Sequence, residues 1–219
     1  MKDEIELVFD YPAKVAAMLL NDEADIGLIP VAVIPKMPEY HIISDYCIGA
    51  IEPVASVCLF SDVPLEEIKE ILLDYQSRTS AALLKILLKE HWHIEPILTN
   101  TNEGYQERIK GTTAGLVIGD RALKQRKSSR YIYDLAEVWQ QMTGLPFLFA
   151  AWVANKKLPK SFIEQFNEAT ATGFKHLPEI IAANLFADYD LHTYYTRNID
   201  YNLDEKKLQA MQLFLSKIN

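Results

Sequence analysis

The residues best suited to chemistry are a cluster of hydroxyl and guanidinium groups, Ser77-Arg78-Thr79-Ser80, which follows an apolar run ending at Asp74. The chain beyond them consists of strong helix formers, so we predict a strand, a tight turn and a helix capped by Ser77, Thr79 or Ser80. The first turn of such a helix presents unpaired backbone N–H groups and a partial positive charge. Hydroxyls and an arginine beside it suit a carboxylate or phosphate. A capped helix without a ligand is the alternative interpretation.

Two further polar residues stand beside apolar runs of strand type. Asp120 follows Gly119 at the end of one run, so its carboxylate should lie at a sheet edge, either facing a ligand or capping the next helix. Ser56 lies within the apolar run 54–60, where a buried hydroxyl needs a partner in a ligand or in the core. Just upstream, Gly49 would let the backbone approach a ligand closely.

Motifs for cofactor-dependent chemistry are absent from the sequence. It contains no phosphate-binding loop, no dinucleotide fingerprint, no nucleophile elbow and no His-Glu-x-x-His pair. His91 and His93 are two residues apart, which places them on different faces of a helix, near a helix end that favours positive charge. We therefore predict no cofactor, no metal and a cleft suited to a small carboxylate.

The composition limits the partners and the compartment. There are 22 Lys and Arg against 30 Asp and Glu, and the net charge of −8 argues against a nucleic-acid partner. No apolar stretch is long enough to span a bilayer, and no apolar signal core follows Met1. Cys47 and Cys58 have neither metal-ligand nor redox spacing and are expected to be small buried hydrophobes. A cytoplasmic protein without a membrane partner fits these features, and its oligomeric state stays open.

The chain repeats one strand–helix–strand unit. Residues 5–30 and 94–118 each begin with Ile-Glu, and each ends in a strand of similar apolar character. We interpret the units as equivalent parts of two similar α/β lobes. The second unit is preceded by a strand, turn and helix, residues 70–93, and the first by Met1 to Glu4 only. The first lobe is therefore expected to lack one strand–helix unit of roughly twenty residues.

The order of strands and helices predicts two lobes, each a mixed sheet flanked by helices. Lobe 1 would comprise residues 1–60 and 155–219, and lobe 2 residues 61–154. Crossing strands near 54–60 and 147–153 would join them. A ligand would then lie in the cleft, facing the carboxyl ends of the strands.

The spacing of apolar residues also predicts individual elements. A strand is expected over residues 5–9, and helices over 103–110, 131–143 and 160–186. No segment has the composition of a flexible linker, so the lobes should not be independent domains.

With these features in view, the sequence resembles the chorismate dehydratases of the futalosine route to menaquinone. The resemblance covers nearly the whole chain, and it implies a two-lobe periplasmic-binding-protein-like (type 2) fold used as a cytoplasmic enzyme. The motifs that carry it are Asp25-Ile26-Gly27-Leu28-Ile29-Pro30, Ile48-Gly49-Ala50 with Val54-Ala55-Ser56-Val57, Leu73-Asp74 with Ser77-Arg78-Thr79-Ser80, Gly119-Asp120 with Ala122-Leu123, Tyr133-Asp134-Leu135 with Trp139, Thr143-Gly144-Leu145-Pro146-Phe147, Tyr194-Tyr195, and Ile199-Asp200-Tyr201.

The resemblance further implies a reaction and its residues. The family removes water from chorismate to give 3-[(1-carboxyvinyl)oxy]benzoate, a lyase reaction without cofactor or metal. Chorismate carries two carboxylates, which suits the site described above. By motif, Ser56 would hold a carboxylate as the catalytic residue, and Gly49 and the turn Ser77–Ser80 would bind substrate. Gly119 and Asp120 would line the cleft.

One departure from the family pattern concerns its first loop. The family begins with a strand and an Asn-Thr-x-Pro-Phe-like loop, whose asparagine is thought to assist the elimination, and no such loop stands before Glu4. The resemblance therefore predicts a chain that binds chorismate and turns it over slowly. Two alternatives stay open. One is a solute-binding or ligand-sensing module of the same fold for a small carboxylate; the other is a dihydroxynaphthoate synthase, whose cleft histidine has no counterpart in a suitable loop here.

Overall fold

Strands and helices alternate through residues 5–218, the part of the chain that this computed structural model describes. In chain order the strands are β1 (Ile26–Pro30), β2 (His41–Ala50), β3 (Val57–Ser61), β4 (Glu70–Leu73), β5 (Ile97–Asn100), β6 (Thr113–Ile118), β7 (Tyr131–Asp134), β8 (Phe147–Ala154) and β9 (Asp200–Asn202). The helices are α1 (Pro12–Leu20), α2 (Arg78–Leu87), α3 (Asp120–Gln125), α4 (Leu135–Thr143), α5 (Lys160–Lys175), α6 (Leu177–Ala183), α7 (Leu191–Thr193) and α8 (Glu205–Ile218). Short 3-10 turns lie at Val31–Lys36, Leu65–Glu67 and Tyr105–Arg108, and π turns at Leu88–Trp92 and Tyr194–Asn198.

The strands form two sheets. The smaller sheet has the order β1-β8-β2-β9, and its described pairs are antiparallel, so the mixed sheet predicted for each lobe is found only in the larger sheet. The larger sheet has the order β5-β4-β6-β3-β7, in which β4 is parallel to both of its neighbours and β3 is antiparallel to both of its own. The carboxyl ends of β4 and β6 therefore meet at one edge of the larger sheet, which is where the candidate residues Ser77 and Asp120 follow.

The apolar core is continuous between the two sheets. Central strand β8 is buried along nearly its whole length, as its unbroken apolar sequence requires. Phe147 at its start packs edge-on against Trp139 of α4 and Phe214 of α8, with ring centroids 5.3 and 5.2 Å apart. These three rings are among the most buried side chains of the described chain, and they join both sheets and the C-terminal helix into one packed body.

The chain passes between the sheets twice, at residues 51–56 and 144–146. The strands expected to cross, 54–60 and 147–153, instead pair within one sheet each, as β3 in the larger and β8 in the smaller. On the outward path a tight turn precedes β3, and on the return path Gly144, at φ +72°, ends α4. Both crossings are short because turns, and not strands, connect the two sheets. The lobe boundaries themselves stay a prediction.

Several individual elements differ from the predictions. Residues 5–9 have no regular structure, and the predicted helix 103–110 is only the 3-10 turn Tyr105–Arg108. The predicted helix 131–143 begins instead as strand β7, because Asp134 ends the strand and caps α4 directly. The predicted helix 160–186 is broken at His176, since Pro178 lies in the first turn of α6 and has no N–H to continue α5.

The two predicted strand–helix–strand units share only their last strand, because residues 5–9 form no strand and the second unit has a 3-10 turn in place of the helix. Strands β1 and β6 each pair antiparallel with a buried strand that returns from elsewhere, β8 and β3 respectively. Beyond β6 the larger sheet continues with β4 and β5. In the smaller sheet β1 is an edge strand within residues 5–218. Leu7, Val8 and Phe9, which precede α1 in the chain, expose their side chains. The expected shortage of one strand–helix unit stays a prediction.

Candidate active site

Ser56 follows a turn with unusual backbone geometry. Its N–H donates to the Val54 carbonyl at 2.7 Å, and Ala55 between them has φ +62°. A three-residue turn with a positive φ at its centre is rare and strained, and such residues cost of order 1–3 kcal/mol. The turn delivers Ser56 to the start of β3 with only 4% of the residue exposed.

Two charged side chains hold this turn. The Asp134 carboxylate accepts the N–H groups of Val54 at 3.1 Å and Ala55 at 2.7 Å, and it also caps α4 by accepting two N–H groups of the first helical turn. Arg126 Nη1 donates to the Ala55 carbonyl at 3.2 Å. Burial raises the pKa of the Asp134 carboxyl, although the four backbone N–H groups act to lower it. Charge-assisted hydrogen bonds therefore offset the strain at Ala55.

The Ser56 side chain meets a residue from the C-terminal part of the chain. The Tyr194 hydroxyl donates to Ser56 Oγ at 2.9 Å. On the other side, the Gly119 N–H donates to the Ser56 carbonyl at 2.8 Å. Burial raises the pKa of Tyr194, and the nearby Asp120 charge adds to that increase. Ser56, Gly119 and Asp120 are thus brought together. Tyr194 is a further neighbour, which was expected only as part of the Tyr194-Tyr195 motif.

The interpretation that Asp120 caps the helix that follows it is wrong. Gly119 occupies the cap position of α3 with φ +65° and ψ −148°, a conformation that favours glycine. Asp120 is the first residue of the helix and its exposed side chain makes no capping hydrogen bond. A ligand-facing role for Asp120 stays a prediction.

The hydroxyl cluster divides its tasks. Ser77 caps α2, since its Oγ accepts the Ser80 N–H at 3.1 Å and its own hydroxyl donates to Ser80 Oγ at 2.7 Å. Thr79 Oγ1 accepts the N–H of Ala32 at 3.2 Å, which ties α2 to the turn after β1. Arg78 is exposed and forms no hydrogen bond or ion pair with residues 5–218. Ser77 is therefore the cap among the three predicted, and Arg78 is accessible to a ligand.

Replacing Ser77 with alanine should lower the free energy of unfolding by about 1 kcal/mol, because the Ser80 N–H loses its capping acceptor. Urea unfolding of the Ser77→Ala protein checks this. The control is Ser216→Ala, which removes an exposed hydroxyl of α8 that donates only to the Leu213 carbonyl. Equal midpoints for the two variants would contradict the capping assignment.

A buried carboxylate lies beside the hydroxyl cluster. Asp74, at the carboxyl end of β4, accepts from the Tyr105 hydroxyl at 2.8 Å and the Ile118 N–H at 3.1 Å. It also forms an ion pair with Arg121 Nη2 at 3.0 Å, and the same nitrogen donates to Gln76 Oε1 at 2.8 Å. This network joins the turn after β4 to the start of α3. Asp74 was expected only as the end of an apolar run and as part of the Leu73-Asp74 motif, and Arg121 was not among the predicted site residues.

Gly49 is not joined to these residues by any described contact. A Cβ on Gly49 would lie 2.9 Å from Lys207 Cε and 3.0 Å from the Phe147 carbonyl oxygen. Lys207 is fully buried, and its ammonium pairs with Asp200 at 2.9 Å and Asp204 at 3.4 Å. The absent side chain therefore makes room for the lysine stem. A role of Gly49 in ligand binding stays a prediction.

Residues 184–198, which we call the connecting segment, join the helices beside the smaller sheet to α3 of the larger sheet. Lys127, just after α3, forms an ion pair with Asp188 at 2.9 Å. At the other end of the segment, Asn198 Nδ2 donates to the Pro53 carbonyl at 2.8 Å, three residues before Ser56. The segment thus carries Tyr194 across the crossing residues to its contact with Ser56.

Other features of the described chain lie apart from this cluster. Two open grooves border the end of α2 and the residues around the crossings, and neither contains a candidate residue. Among residues 5–218 no group of three His, Cys, Asp or Glu side chains could hold a metal ion. Within the same residues, no helix is both long and apolar enough to cross a membrane. Burial raises the pKa of Cys47 to about 12 and that of Cys58 well above its usual value.

Comparison with known proteins identifies the family. A family model described as menaquinone biosynthesis matches residues 1–219. The chain belongs to this family. The predicted resemblance is therefore confirmed, while the roles of the individual site residues within the menaquinone biosynthesis family stay predictions.

Curated relatives of this family carry a specific name. The chain is 28% identical over 226 residues to a chorismate dehydratase of Thermus thermophilus, which covers 93% of this chain and 83% of the relative. It is 37% identical over 94 residues to a chorismate dehydratase of Campylobacter jejuni, which covers 41% of this chain and 39% of that relative.

Solved structures show the fold. A protein from Archaeoglobus fulgidus matches with a TM-score of 0.70 at 17% identity, covering 98% of this chain and 85% of its own. An ABC transporter protein from Parabacteroides distasonis gives 0.65 at 18%, covering 97% and 80%. The alkanesulfonate-binding protein of Xanthomonas axonopodis gives 0.57 at 13%, covering 95% and 81%. The predicted α/β solute-binding-protein-like fold, with two sheets flanked by helices, is confirmed.

Proposed function

We propose that this chain dehydrates chorismate to 3-[(1-carboxyvinyl)oxy]benzoate, as a lyase without cofactor in menaquinone biosynthesis. The observation that carries this proposal is the similarity to the Thermus thermophilus chorismate dehydratase over 93% of the chain, within a family described as menaquinone biosynthesis. The product gains an aromatic ring, so the driving force lies in the substrate. The protein then has to hold the carboxylates, exclude water and orient the ring.

The chemistry of the cluster suits this substrate. Chorismate has two carboxylates, and we assign one of them to the Ser56 hydroxyl and the other to the amino-terminal turn of α2. There Arg78 is exposed beside the cap residue Ser77, and the first-turn N–H groups favour an anion. Asp120 would stand at the rim, where its charge keeps a third anion out of the site. These assignments are part of the proposal.

Chorismate turnover, followed by chromatography of the aromatic product, tests the proposal. Ser56→Ala should lower kcat/KM about 10- to 100-fold, because a hydrogen bond to a charged group is lost. Ser216→Ala, an exposed hydroxyl of α8, should leave kcat/KM unchanged. Product formation no faster than in buffer, over incubations long enough to detect slow turnover, would contradict the proposed reaction.

The alternative, a solute-binding or ligand-sensing module for a small carboxylate, is not favoured, because the curated relatives are named as enzymes. Its result in the same experiment would be binding without turnover: chorismate would raise the melting temperature and stay unchanged.

A further inference from the structure

The contact between Tyr194 and Ser56 joins residues that are 138 positions apart in the chain. Tyr194 begins the π turn Tyr194–Asn198, whose last residue is anchored to the Pro53 carbonyl at 2.8 Å. The Tyr194 ring also packs against Tyr195 and Tyr189, with centroids 5.1 and 6.3 Å away. The turn that carries Tyr194 is therefore anchored, its ring is packed, and its hydroxyl is directed at Ser56 Oγ.

The hydrogen bond determines what the Ser56 hydroxyl can do. A serine hydroxyl has one proton to donate and lone pairs to accept with. Ser56 Oγ accepts from Tyr194, and no atom of residues 5–218 receives the Ser56 proton. Because Ser56 is buried, this donor calls for an acceptor, and buried polar groups nearly always have one. An acceptor supplied by the ligand satisfies it.

The surroundings of Tyr194 keep its hydroxyl protonated, so that it can donate to Ser56. Burial is the main reason that the pKa of Tyr194 is raised, and the charge of Asp120 acts in the same direction. The phenol therefore keeps its proton and remains a donor to Ser56. If Ser56 donated to Tyr194 instead, the phenol proton would have to turn away, and no other acceptor for it is found among residues 5–218.

We propose that Tyr194 is a positioning residue of the substrate site, which donates to Ser56 Oγ and so directs the Ser56 proton at a substrate carboxylate. This inference rests on the proposed function and adds a residue to it. Without Tyr194 the hydroxyl would turn among its staggered positions, and part of the binding energy would go into ordering it. The bond to the carboxylate forms equally in the bound substrate and in the transition state, so Tyr194 acts on binding rather than on the chemical step.

The test is a double-mutant cycle with Ser56→Ala, Tyr194→Phe and the double variant. Tyr194→Phe should raise KM for chorismate about three- to tenfold, the loss expected for one hydrogen bond, and leave kcat within about twofold. In the Ser56→Ala background, Tyr194→Phe should have no further effect on KM. The control is Tyr46→Phe, whose ring packs on Phe174 and whose hydroxyl makes no hydrogen bond within residues 5–218.

A purely structural role for Tyr194 would give a different result. It would lower the melting temperature and reduce activity by the same factor with or without Ser56, which would overturn the proposal. An unchanged KM in Tyr194→Phe would overturn it as well. If wild type binds chorismate without converting it, the proposed reaction fails, and the same cycle measured as Kd by calorimetry still decides the role of Tyr194. If wild type neither binds nor converts chorismate, both fall together.

Discussion

Replacing Asp134 with alanine should lower the free energy of unfolding by about 4 kcal/mol. The residue is 5% exposed, and its carboxylate accepts the N–H groups of Val54 and Ala55 as well as two N–H groups of α4. Each buried N–H left without an acceptor costs about 1–3 kcal/mol, and the helix loses its cap. Urea unfolding measures the change. The strained turn at Ala55 would also relax, so Ser56 should lose its alignment and kcat/KM should fall.

A matched control separates this effect from ordinary capping. Asp190 is likewise a cap aspartate, for α7, and accepts the Thr193 N–H, but it is exposed to solvent. Asp190→Ala should therefore lower the free energy of unfolding by about 1 kcal/mol or less. A similar loss in both variants would contradict the view that Asp134 supports the Ser56 turn in addition to the helix.

The stability of wild type and that of Asp134→Asn should depend differently on pH. Burial raises the pKa of Asp134 above its ordinary value of 3.8, so the folded protein holds this proton more tightly than the unfolded chain does. Between the folded pKa and 3.8, falling pH should therefore stabilise wild type relative to Asp134→Asn. The comparison isolates Asp134, because the other carboxylates are common to both proteins. The opposite trend would show that its four N–H donors outweigh burial.

Replacing Asp74 with alanine should have a comparable effect, a loss of about 3–5 kcal/mol, for a different reason. Removing the fully buried Asp74 leaves the charge of the partly exposed Arg121 without its partner. In Asp74→Ala the Arg121 guanidinium would keep only Gln76, and the Ile118 N–H would lose its acceptor. Denaturant unfolding of the variant measures the loss.

Two further variants identify the cause. Adding Arg121→Met to Asp74→Ala should restore part of the lost stability, because the unpaired charge is removed together with its partner. Asp62→Ala is the matched control, since Asp62 also accepts a backbone N–H, that of Gly111 at 3.0 Å, but is only half-buried and has no partner in an ion pair among residues 5–218. Its effect should be within about 0.5 kcal/mol. A double variant no more stable than Asp74→Ala would exclude the charge as the origin of the loss.

Local patterns were sufficient for much of the fold and for part of the candidate site. Ser77 is one of the three caps expected for α2, because a cap acts within one helical turn. The apolar run before Ala154 is the buried strand β8, since its length and composition leave few alternatives. The site at the carboxyl ends of β4 and β6 followed from the same local signals.

Contacts between distant residues could not be predicted in this way. The bond between Ser56 and Tyr194 depends on how the C-terminal segment packs, which no spacing along the chain records. Asp134 was hidden for a simpler reason: strand β7 leads into α4 without a turn, so their apolar residues gave one helical period. The signal that distinguishes them is Asp134 followed three residues later by Glu137, a capping pattern at a helix start.

The connecting segment adds non-covalent contacts between parts of the chain that belong to different sheets. Residues 51–56 and 144–146 are the two covalent crossings between the sheets, and the continuous apolar core joins the sheets as well. The ion pair from Lys127 to Asp188 and the bond from Tyr194 to Ser56 add a third, breakable tie on the same side as the candidate site. A separation of the two sheets beside the candidate site would therefore have to break both contacts. High salt, which weakens the exposed ion pair, should loosen this tie and leave the hydrogen bond in place.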